Sequence, residues 1–302
     1  MRLGVCTSCF REVSLPEVLR WVGQAGFQTV EIPCPPTRDP SSWYHDGGLN
    51  IAGLDGPGRD AFVSALDDAG LTAAALAWYA NPLDADPGRR DVILGHLQRI
   101  VETAAALGVE VVCLLVGRDP ALRLGDCIAE FARRIEPVVS LAESSGVRLA
   151  IENAPRVGWQ VEDLPGNAAF CPELWEKLFT HLRSPAVGLA FDPAHLHWTG
   201  IDPLSALTDY AEKVYHFRAK DAETMDLRRQ DCGILRPGGG WWRYRLPGLG
   251  AIDWRRMIDR LHELGYQGAV VIDHEDSVWQ GSLDKIKTGL ALAKRHLGQF
   301  LP

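Results

Sequence analysis

The chain has 302 residues, 46% of them hydrophobic, and a formal net charge of −8. This length suits one large α/β barrel or two smaller domains. The negative charge, without a long run of Lys or Arg, argues against a nucleic-acid partner, because duplex-binding surfaces need clustered cations. No apolar stretch reaches the ~18 residues of a membrane span, and the N-terminal MRLGVCTSCF lacks the features of a secretory signal. We therefore expect a cytoplasmic protein without a membrane partner.

Eight predicted strands alternate with amphipathic helices along the chain. In chain order the strands read RLGVCTS, TVEIP, LTAAALA, VEVVCLLV, RLAIEN, VGLAFD, KVYHFRAK and GAVVIDHE. They are mostly apolar, as expected when both faces of a sheet are covered. Segments such as PEVLRWVGQAG and DWRRMIDRLHELG carry apolar residues at helical spacing, and SLDKIKTGLALAKRHLGQF is the predicted eighth helix.

Five of the predicted helices end in a glycine that is followed by an apolar residue and then a strand. These are Gly26, Gly70, Gly108, Gly146 and Gly265. The position after the last helical turn adopts a positive φ, which glycine accepts without steric cost. The recurrence at about 40 residues matches one strand–loop–helix–loop unit.

Eight such units predict a single (β/α)8 TIM barrel, an α/β fold, over residues 1–302. A doubly wound sheet is the alternative, but GVCTSCFRE after the first strand has no phosphate-binding glycine motif. The active site of a TIM barrel lies on the loops after the strands. Long loops are predicted after strands two, five and seven, at Pro33 to Pro57, Asn153 to Cys171 and Asp221 to Ala251.

The seven cysteines are odd in number and lie mostly in apolar segments, such as that around Cys113. This pattern indicates buried, reduced thiols and not a disulfide framework. Cys6 and Cys9 form one C-x-x-C pair, whereas a zinc site of this type needs a second pair. We interpret these two cysteines as part of a strand end.

Strand seven has an unusual polarity. Side chains alternate along a strand, so one face of VYHFRAK holds Tyr, Phe and Ala. The opposite face holds three basic residues, His216, Arg218 and Lys220. One of the two faces must point into the barrel, so the basic row needs acidic partners if it is the inner one.

Acidic residues at the carboxyl ends of strands offer such partners. Glu152, Asp192 and Asp273 end strands five, six and eight, and His195 follows Asp192 by three residues. Three carboxylates in one cavity repel each other unless a divalent metal or fixed basic side chains join them. Asp192 could instead cap the next segment. We expect Glu152, Asp192 and Asp273 to converge on one site.

Three further acidic residues have simpler interpretations. A lone Glu at a strand end is commonly a helix cap or solvated, and Glu31 at the end of strand two fits that description. Glu275 and Asp276 fit ordinary N-terminal charges of the last helix.

Tryptophans are concentrated in the predicted loops and strand ends, at positions 43, 78, 159, 198, 241, 242 and 279. An indole ring can stack on the apolar face of a sugar ring while carboxylates accept its hydroxyls. The same rings could fill a protein interface. We interpret at least two as ligand contacts, with Trp78, Trp198 and Trp242 as the candidates.

The segments AIEN, GLAFDPAHLHWTGIDP, YHFRAKDAE, WWRYRLPGLGAIDW and VVIDHEDS resemble the sugar phosphate isomerase/epimerase group of the xylose isomerase-like TIM barrels. The resemblance runs from the first strand to the last helix, and its specific motifs begin at Glu152. It implies a barrel with a divalent metal, often Mn or Mg. It also implies a small-molecule substrate that resembles a ketose, a cyclitol or an oxidised glycoside.

The resemblance also implies a ligand set for that metal: a Glu on strand five, an Asp on strand six, a His on strand seven and a Glu on strand eight. Glu152 and Asp192 match the first two, and His195 matches a substrate-side histidine. The strand-seven position holds Arg218, and the strand-eight position holds Asp273, which is one methylene shorter. Arginine stays protonated and has no free lone pair, so it cannot bind a cation.

Two alternatives follow for the metal. It could remain on Glu152, Asp192 and Asp273 with water, and Arg218 would then turn to the substrate. In the other alternative Arg218 replaces the metal by bidentate pairing with the carboxylates, and Lys220 supplies the second positive charge. We favour the second alternative, which leaves a divalent metal in doubt.

The predicted function is a carbohydrate isomerase or epimerase that moves a proton next to a carbonyl through an enediolate. Glu152 and Asp273 would be the acid/base pair. Arg218 with Lys220, or a metal, would stabilise the oxyanion, and His195 would bind a hydroxyl or shuttle a proton. Other predicted substrate contacts are His216, Glu275 and the three candidate tryptophans.

Two other functions remain open at this point. A lyase that cleaves a keto-glycoside would use the same enolate to expel a leaving group. A binding protein without catalysis would explain the lost histidine ligand. A DNA-repair endonuclease is disfavoured because it needs more metal-binding histidines and a basic face. Barrels of this kind often form dimers or tetramers, so a homo-oligomer is compatible with the sequence.

Overall fold

The structure is a computed structural model that describes residues 1–38, 40–156, 165–234 and 240–301. Eight parallel strands close into a barrel, each within its predicted segment. They are β1 Arg2–Cys6, β2 Thr29–Pro33, β3 Thr72–Ala77, β4 Val111–Leu114, β5 Arg148–Glu152, β6 Val187–Phe191, β7 Val214–Ala219 and β8 Ala269–Ile272. Each strand pairs with its neighbours in chain order, and β8 pairs with β1. The predicted (β/α)8 barrel is therefore confirmed.

Ten α-helices lie in the described part of the chain, around the barrel or in its loops. They are α1 Leu15–Gln24, α2 Gly56–Ala69, α3 Pro87–Leu107, α4 Leu124–Ser145, α5 Pro172–His181, α6 Pro193–Trp198, α7 Pro203–Asp209, α8 Asp226–Cys232, α9 Trp254–Glu263 and α10 Leu283–Leu297. The apolar spacing explains their orientation. In α9 the buried residues Trp254, Met257, Ile258 and Leu261 form one stripe against the sheet.

The five glycines predicted to end helices all have positive φ. The values are 75° for Gly26, 64° for Gly70, 68° for Gly108, 69° for Gly146 and 70° for Gly265. The N–H groups of Gly70, Gly108 and Gly146 bond to carbonyls of the last helical turn. A side chain at these positions would be strained, which explains why the pattern marks the helix ends.

The loop after β7 forms an antiparallel hairpin of Asp221–Thr224 with Trp242–Arg245, and α8 lies between its strands. Asp221 fixes the base of this hairpin. Its carboxylate accepts a hydrogen bond from Trp254 Nε1 at 2.8 Å and from the N–H groups of Ala222, Gly248, Gly250 and Ile252. Parts of the predicted loops after β5 and β7, at 157–164 and 235–239, lie outside the described residues, as does Trp159.

Small residues in the inner layer leave space for long polar side chains. A buried cluster of Ala75, Ala77, Cys113, Ala150 and Ala190 lines the inside of β3 to β6. Larger apolar side chains fill the outer layer between strands and helices. The barrel can therefore hold arginine, lysine and glutamate side chains where most barrels pack branched apolar residues.

All seven cysteines are free. This agrees with the predicted reduced thiols. Among the described helices, none has the length and apolar composition of a transmembrane span.

Candidate active site

The basic row of β7 points into the barrel. His216, Arg218 and Lys220 are 1%, 3% and 0% exposed, while Phe217 and Ala219 join the outer apolar core. The register between β6 and β7 shifts between Leu189 and Ala190, so that Ala190 lies opposite His216. Three buried basic groups require acidic partners, and each has at least one.

Arg218 binds three carboxylates with different edges of its guanidinium. Nη2 donates to Glu31 Oε1 at 2.6 Å, and Nε donates to Glu31 Oε2 at 3.2 Å. Nη1 donates to Glu152 Oε1 at 2.9 Å and lies 3.1 Å from Asp273 Oδ2. The bidentate pairing expected of Arg218 is present, but its partner is Glu31.

Glu31 is buried, and its carboxylate is fully hydrogen-bonded. The interpretation of Glu31 as a helix cap or a solvated residue is therefore wrong. Besides Arg218, it accepts hydrogen bonds from His216 Nε2 at 2.8 Å and from the Tyr79 hydroxyl at 2.9 Å. A register shift between Val30 and Glu31 in the pairing of β2 with β3 accompanies this inward position. The sequence signal for this inward position was a single acidic residue in an otherwise apolar strand.

Lys220 binds the remaining carboxylates. Its Nζ lies 2.8 Å from Asp273 Oδ2, 3.0 Å from Asp192 Oδ2 and 3.5 Å from Glu275 Oε1. It also lies 4.6 Å from the centre of the Tyr244 ring. Asp273 therefore bridges Arg218 and Lys220, and the predicted convergence of Glu152, Asp192 and Asp273 is present in the structure.

The partners keep these groups charged despite burial. Burial alone would raise the pKa of Glu31, Glu152 and Asp273, but the neighbouring Arg218 charge holds the pKa of each below its ordinary value. Burial would lower the pKa of Arg218 and Lys220, yet the carboxylates around them raise the pKa of both. The cluster is thus a set of ion pairs and not a set of neutral acids.

Asp192 has two roles at the end of β6. Its Oδ1 accepts a hydrogen bond from the Ala194 N–H at 2.9 Å and caps α6, as the alternative interpretation expected. Its Oδ2 faces Lys220 as an ion pair outside hydrogen-bonding geometry. Asn153 exchanges hydrogen bonds with the Asp192 backbone, which ties the end of β5 to the end of β6.

His195 lies in the first turn of α6, between two carboxylates and a tyrosine. Its Nε2 is 3.4 Å from both Glu152 Oε1 and Asp192 Oδ2, and its Nδ1 is 2.8 Å from the Tyr244 hydroxyl. Tyr244 comes from the hairpin after β7 and was not predicted as a site residue. Within the described residues, His195 Nε2, Glu152 Oε2 and Asp192 Oδ2 are buried without a hydrogen-bond partner.

A cavity of about 200 Å³ opens above this cluster, at the carboxyl ends of the strands. Its lining consists of Glu152, Ala154, Arg156, His195, Trp198, Trp242, Tyr244 and Glu275. The rings of Trp198 and Trp242 stack in parallel with centres 4.1 Å apart. The predicted residues Glu152, His195, Glu275, Trp198 and Trp242 thus surround one cavity.

Other predicted site residues lie elsewhere. Arg218, Lys220, Asp192 and Asp273 are beneath the cavity and not in its lining. His216 binds Glu31, and Trp78 packs edge-on against His96, so neither lines the cavity.

Glu275 and Asp276 precede α10 by several residues, so their assignment to the start of that helix is wrong. Asp276 is buried and accepts a hydrogen bond from Arg245 Nε at 2.9 Å.

The donor set suits a divalent cation poorly where the resemblance would place one. Glu152 and Asp273 are bridged by a guanidinium nitrogen, and Asp192 and Asp273 are bridged by an ammonium. A second set, Glu152, Asp192 and His195, brings three ligand atoms within 4.8 Å of one another. Lys220 Nζ lies against one of these three atoms, Asp192 Oδ2. No step of the reaction is therefore assigned to a metal.

A closed parallel barrel with acidic and basic side chains gathered at the carboxyl ends of its strands has the architecture of a TIM-barrel enzyme. Residues 19–296 match the family described as xylose isomerase-like TIM barrel, and the chain belongs to this family.

Curated relatives include an inosose dehydratase. The chain is 24% identical to the uncharacterized protein YfiH of Bacillus subtilis, over 99% of this chain and all of that protein. It is 28% identical to inosose dehydratase of Lacticaseibacillus casei, over 33% of this chain and 34% of that enzyme. The second match is therefore local, although it indicates a sugar-modifying enzyme of this family.

Solved structures support the fold. The IolI protein with a bound zinc atom superposes with a TM-score of 0.72 at 18% identity, covering all of this chain and 99% of that one. D-psicose 3-epimerase in the presence of D-fructose superposes with a TM-score of 0.69 at 15% identity, covering 99% of this chain and 100% of that one. At such identities the likeness concerns the barrel, so substrate and metal must be argued from this chain's own residues.

Proposed function

We propose that the chain is an enzyme that moves a proton next to a carbonyl of a keto-sugar or cyclitol, as an isomerase or epimerase. The observation that carries the proposal is the placement of Glu152. Its carboxylate is 1% exposed and lines the cavity, while Arg218 stands directly behind it at 2.9 Å. Arg218 keeps Glu152 ionised, so that it can accept a proton, and fixed positive charge next to the cavity can stabilise the enediolate oxygen.

Residues in the cavity lining and residues beneath it have different roles in this reaction. Glu152 Oε2, which has no hydrogen-bond partner among the described residues, removes the proton. His195 binds a substrate oxygen through Nε2, and Tyr244 fixes the ring through Nδ1. The acid/base role of Asp273 stays a prediction, because this residue lies beneath the cavity and shares Nη1 of Arg218 with Glu152. Arg218 and Lys220 stabilise the negative charge of the enediolate.

The size of the cavity and its aromatic wall favour a small carbohydrate. About 200 Å³ lies below the ~300–1,000 Å³ typical of sites for drug-sized ligands. The stacked rings of Trp198 and Trp242 line the cavity together with polar groups such as Glu152 and Glu275. A sugar or cyclitol ring has this same combination of an apolar C–H face and a hydroxyl rim.

The charge of the cavity lining favours an uncharged substrate. Within the described residues, this lining carries two carboxylates, Glu152 and Glu275, against one cation, Arg156. The cavity wall therefore keeps an excess of negative charge. A phosphate or carboxylate on the substrate would meet this charge at close range, which is unfavourable at low dielectric.

A lyase that expels a leaving group from the same enolate is the second candidate. The contact between Tyr244 and His195 favours it, because a hydroxyl paired with an imidazole can protonate a departing oxygen. Inosose dehydratase, to which the chain is locally similar, is by its name a dehydratase.

Solvent exchange tests both candidates. The protein is incubated in D₂O with separate ketoses, inososes and 3-keto-glycosides, and incorporation of deuterium at carbon is followed by NMR. We expect exchange with at least one compound, loss of exchange in Glu152→Gln, and wild-type exchange in Glu110→Gln, which changes an exposed acid outside the cavity. Release of an unsaturated product identifies the lyase. The proposal fails if no compound exchanges, or if Glu152→Gln exchanges as fast as the wild type.

A further inference from the structure

We propose that Arg218, clamped by Glu31, and Lys220 together occupy the place of a divalent metal, so that the site works without one. The role of these two cations in the reaction rests on the proposed function. Their effect on metal binding does not rest on the proposed function.

Arg218 and Lys220 stand where a metal ion would need the carboxylate oxygens. Arg218 Nη1 is 2.9 Å from Glu152 Oε1 and 3.1 Å from Asp273 Oδ2, and Lys220 Nζ is 2.8 Å from the same Asp273 oxygen. A metal bound by oxygen at about 2.0–2.6 Å would have to share these atoms with two protonated nitrogens. The repulsion between like charges opposes that at the low dielectric of a buried site.

Arg218 is held rigidly in this position. Arg218 cannot turn aside without breaking both hydrogen bonds to Glu31. Glu31 is itself held by His216 and by Tyr79, whose ring centre lies 4.9 Å from the guanidinium carbon. One edge of the guanidinium is therefore fixed, which sets the direction of Nη1 toward Glu152 and Asp273. Glu31 acts here as a positioning residue.

The two side chains also match the charge of a metal ion. Arg218 and Lys220 together carry the charge of one divalent ion, and they cannot be lost by dialysis. They lie directly behind Glu152 and Asp192, next to the cavity where an enediolate would form. Fixed charges of this kind stabilise a developing oxyanion without reorganisation at the moment of reaction.

The test begins with the wild-type chain, purified without chelator and dialysed. Metal is measured by plasma mass spectrometry, and thermal unfolding is followed with Mn²⁺, Mg²⁺, Zn²⁺ or EDTA. We expect no stoichiometric metal and no shift in Tm with any addition, because only a ligand that binds the folded state raises Tm. A stoichiometric metal that survives dialysis would overturn the inference, as would a Tm lowered by EDTA.

Two matched variants test whether Arg218 occupies a metal position. Arg218→His supplies an imidazole ligand, whereas Arg218→Gln removes the charge without adding a strong ligand. We expect Arg218→His to take up a divalent metal and to gain Tm with it, and Arg218→Gln, which frees the same carboxylates without adding an imidazole, to bind the metal more weakly. Absence of metal uptake by both folded variants would overturn the inference. If neither variant folds, the wild-type metal content decides.

Failure of this inference is distinct from failure of the proposed function. Deuterium exchange by a metal-loaded wild type would overturn the inference and leave the function standing. Metal-free protein that exchanges no substrate proton would leave the inference standing and overturn the function.

Discussion

Glu31 and Arg218 form a bidentate ion pair across the interior of the barrel. They lie 187 residues apart in the chain, on strands β2 and β7, which are not neighbours in the sheet. The guanidinium reaches Glu31 at 2.6 and 3.2 Å and presents its other nitrogen to Glu152 and Asp273. This one side chain therefore connects β2, β5, β7 and β8.

We expect Arg218→Ala to destabilise the fold strongly. The substitution leaves Glu31, Glu152 and Asp273 buried without the guanidinium that neutralises them. Removing one partner of a buried pair typically costs about 3–5 kcal/mol. The measurement is the free energy of unfolding from urea titration at pH 7. Arg148→Ala is the control, because Arg148 pairs with Glu110 at the surface, where a pair contributes about 0–1 kcal/mol. Equal losses in both variants would contradict the prediction.

The ion pair of Glu31 with Arg218 also predicts that the stability of the fold depends on pH. Burial raises the pKa of Glu31, but Arg218 and His216 outweigh burial and hold that pKa below its ordinary value in the folded state. As the pH falls, the unfolded chain therefore binds more protons than the folded chain does. The stabilisation by the ion pair of Glu31 is present above the unfolded pKa and is lost below roughly pH 4–5.

Glu31→Gln tests this dependence. The variant should be less stable than the wild type at pH 7, and it should lose less stability between neutral pH and pH 4. Urea unfolding at several pH values measures both effects. Glu110→Gln, which changes an exposed carboxylate, should follow the wild-type curve. A Glu31→Gln curve parallel to that of the wild type would show that Glu31 does not contribute the acid sensitivity.

The barrel was predictable from the sequence because its signals are local. The apolar strands and the glycines at 26, 70, 108, 146 and 265 report on their own backbone, and each strand was found within its predicted segment. Period-two alternation also separated the inward face of β7 from its outward face.

The partners of Arg218 were only partly predictable, because ion pairs across a barrel depend on distances between remote strands. Glu31 has the same sequence context as a solvated strand-end acid, and only the closed barrel brings it to Arg218. Tyr244 was missed for a similar reason. It reaches His195 through a hairpin whose pairing of Ala222 with Tyr244 has no local sequence signal.

Tyr244→Phe should reduce activity while preserving the fold. The variant loses the hydroxyl that lies 2.8 Å from His195 Nδ1, so the imidazole is no longer fixed. We expect the rate of deuterium exchange to fall about tenfold or more, since a positioned acid or base contributes about 10²–10⁴-fold.

Tyr210→Phe is the matched control for this variant. Its hydroxyl bonds to Glu176 at 2.6 Å on the outer helices, outside the cavity lining. It should keep the wild-type rate. A wild-type rate in Tyr244→Phe would show that Tyr244 does not position His195.

Trp198→Ala should weaken substrate binding more than it slows the reaction. The indole stacks on Trp242 at 4.1 Å and lines the cavity, but it has no acid or base function. Aromatic contacts contribute about 0.5–1.5 kcal/mol beyond the area they bury, so we expect KM to rise roughly 2–10-fold with little change in kcat. Trp43→Ala provides the comparison, because Trp43 packs against Phe62 and Tyr44 and does not line the cavity. It should lower stability and leave KM unchanged. A fall in kcat at constant KM in Trp198→Ala would instead indicate that the ring holds His195 in place through Tyr244 and does not contact the substrate.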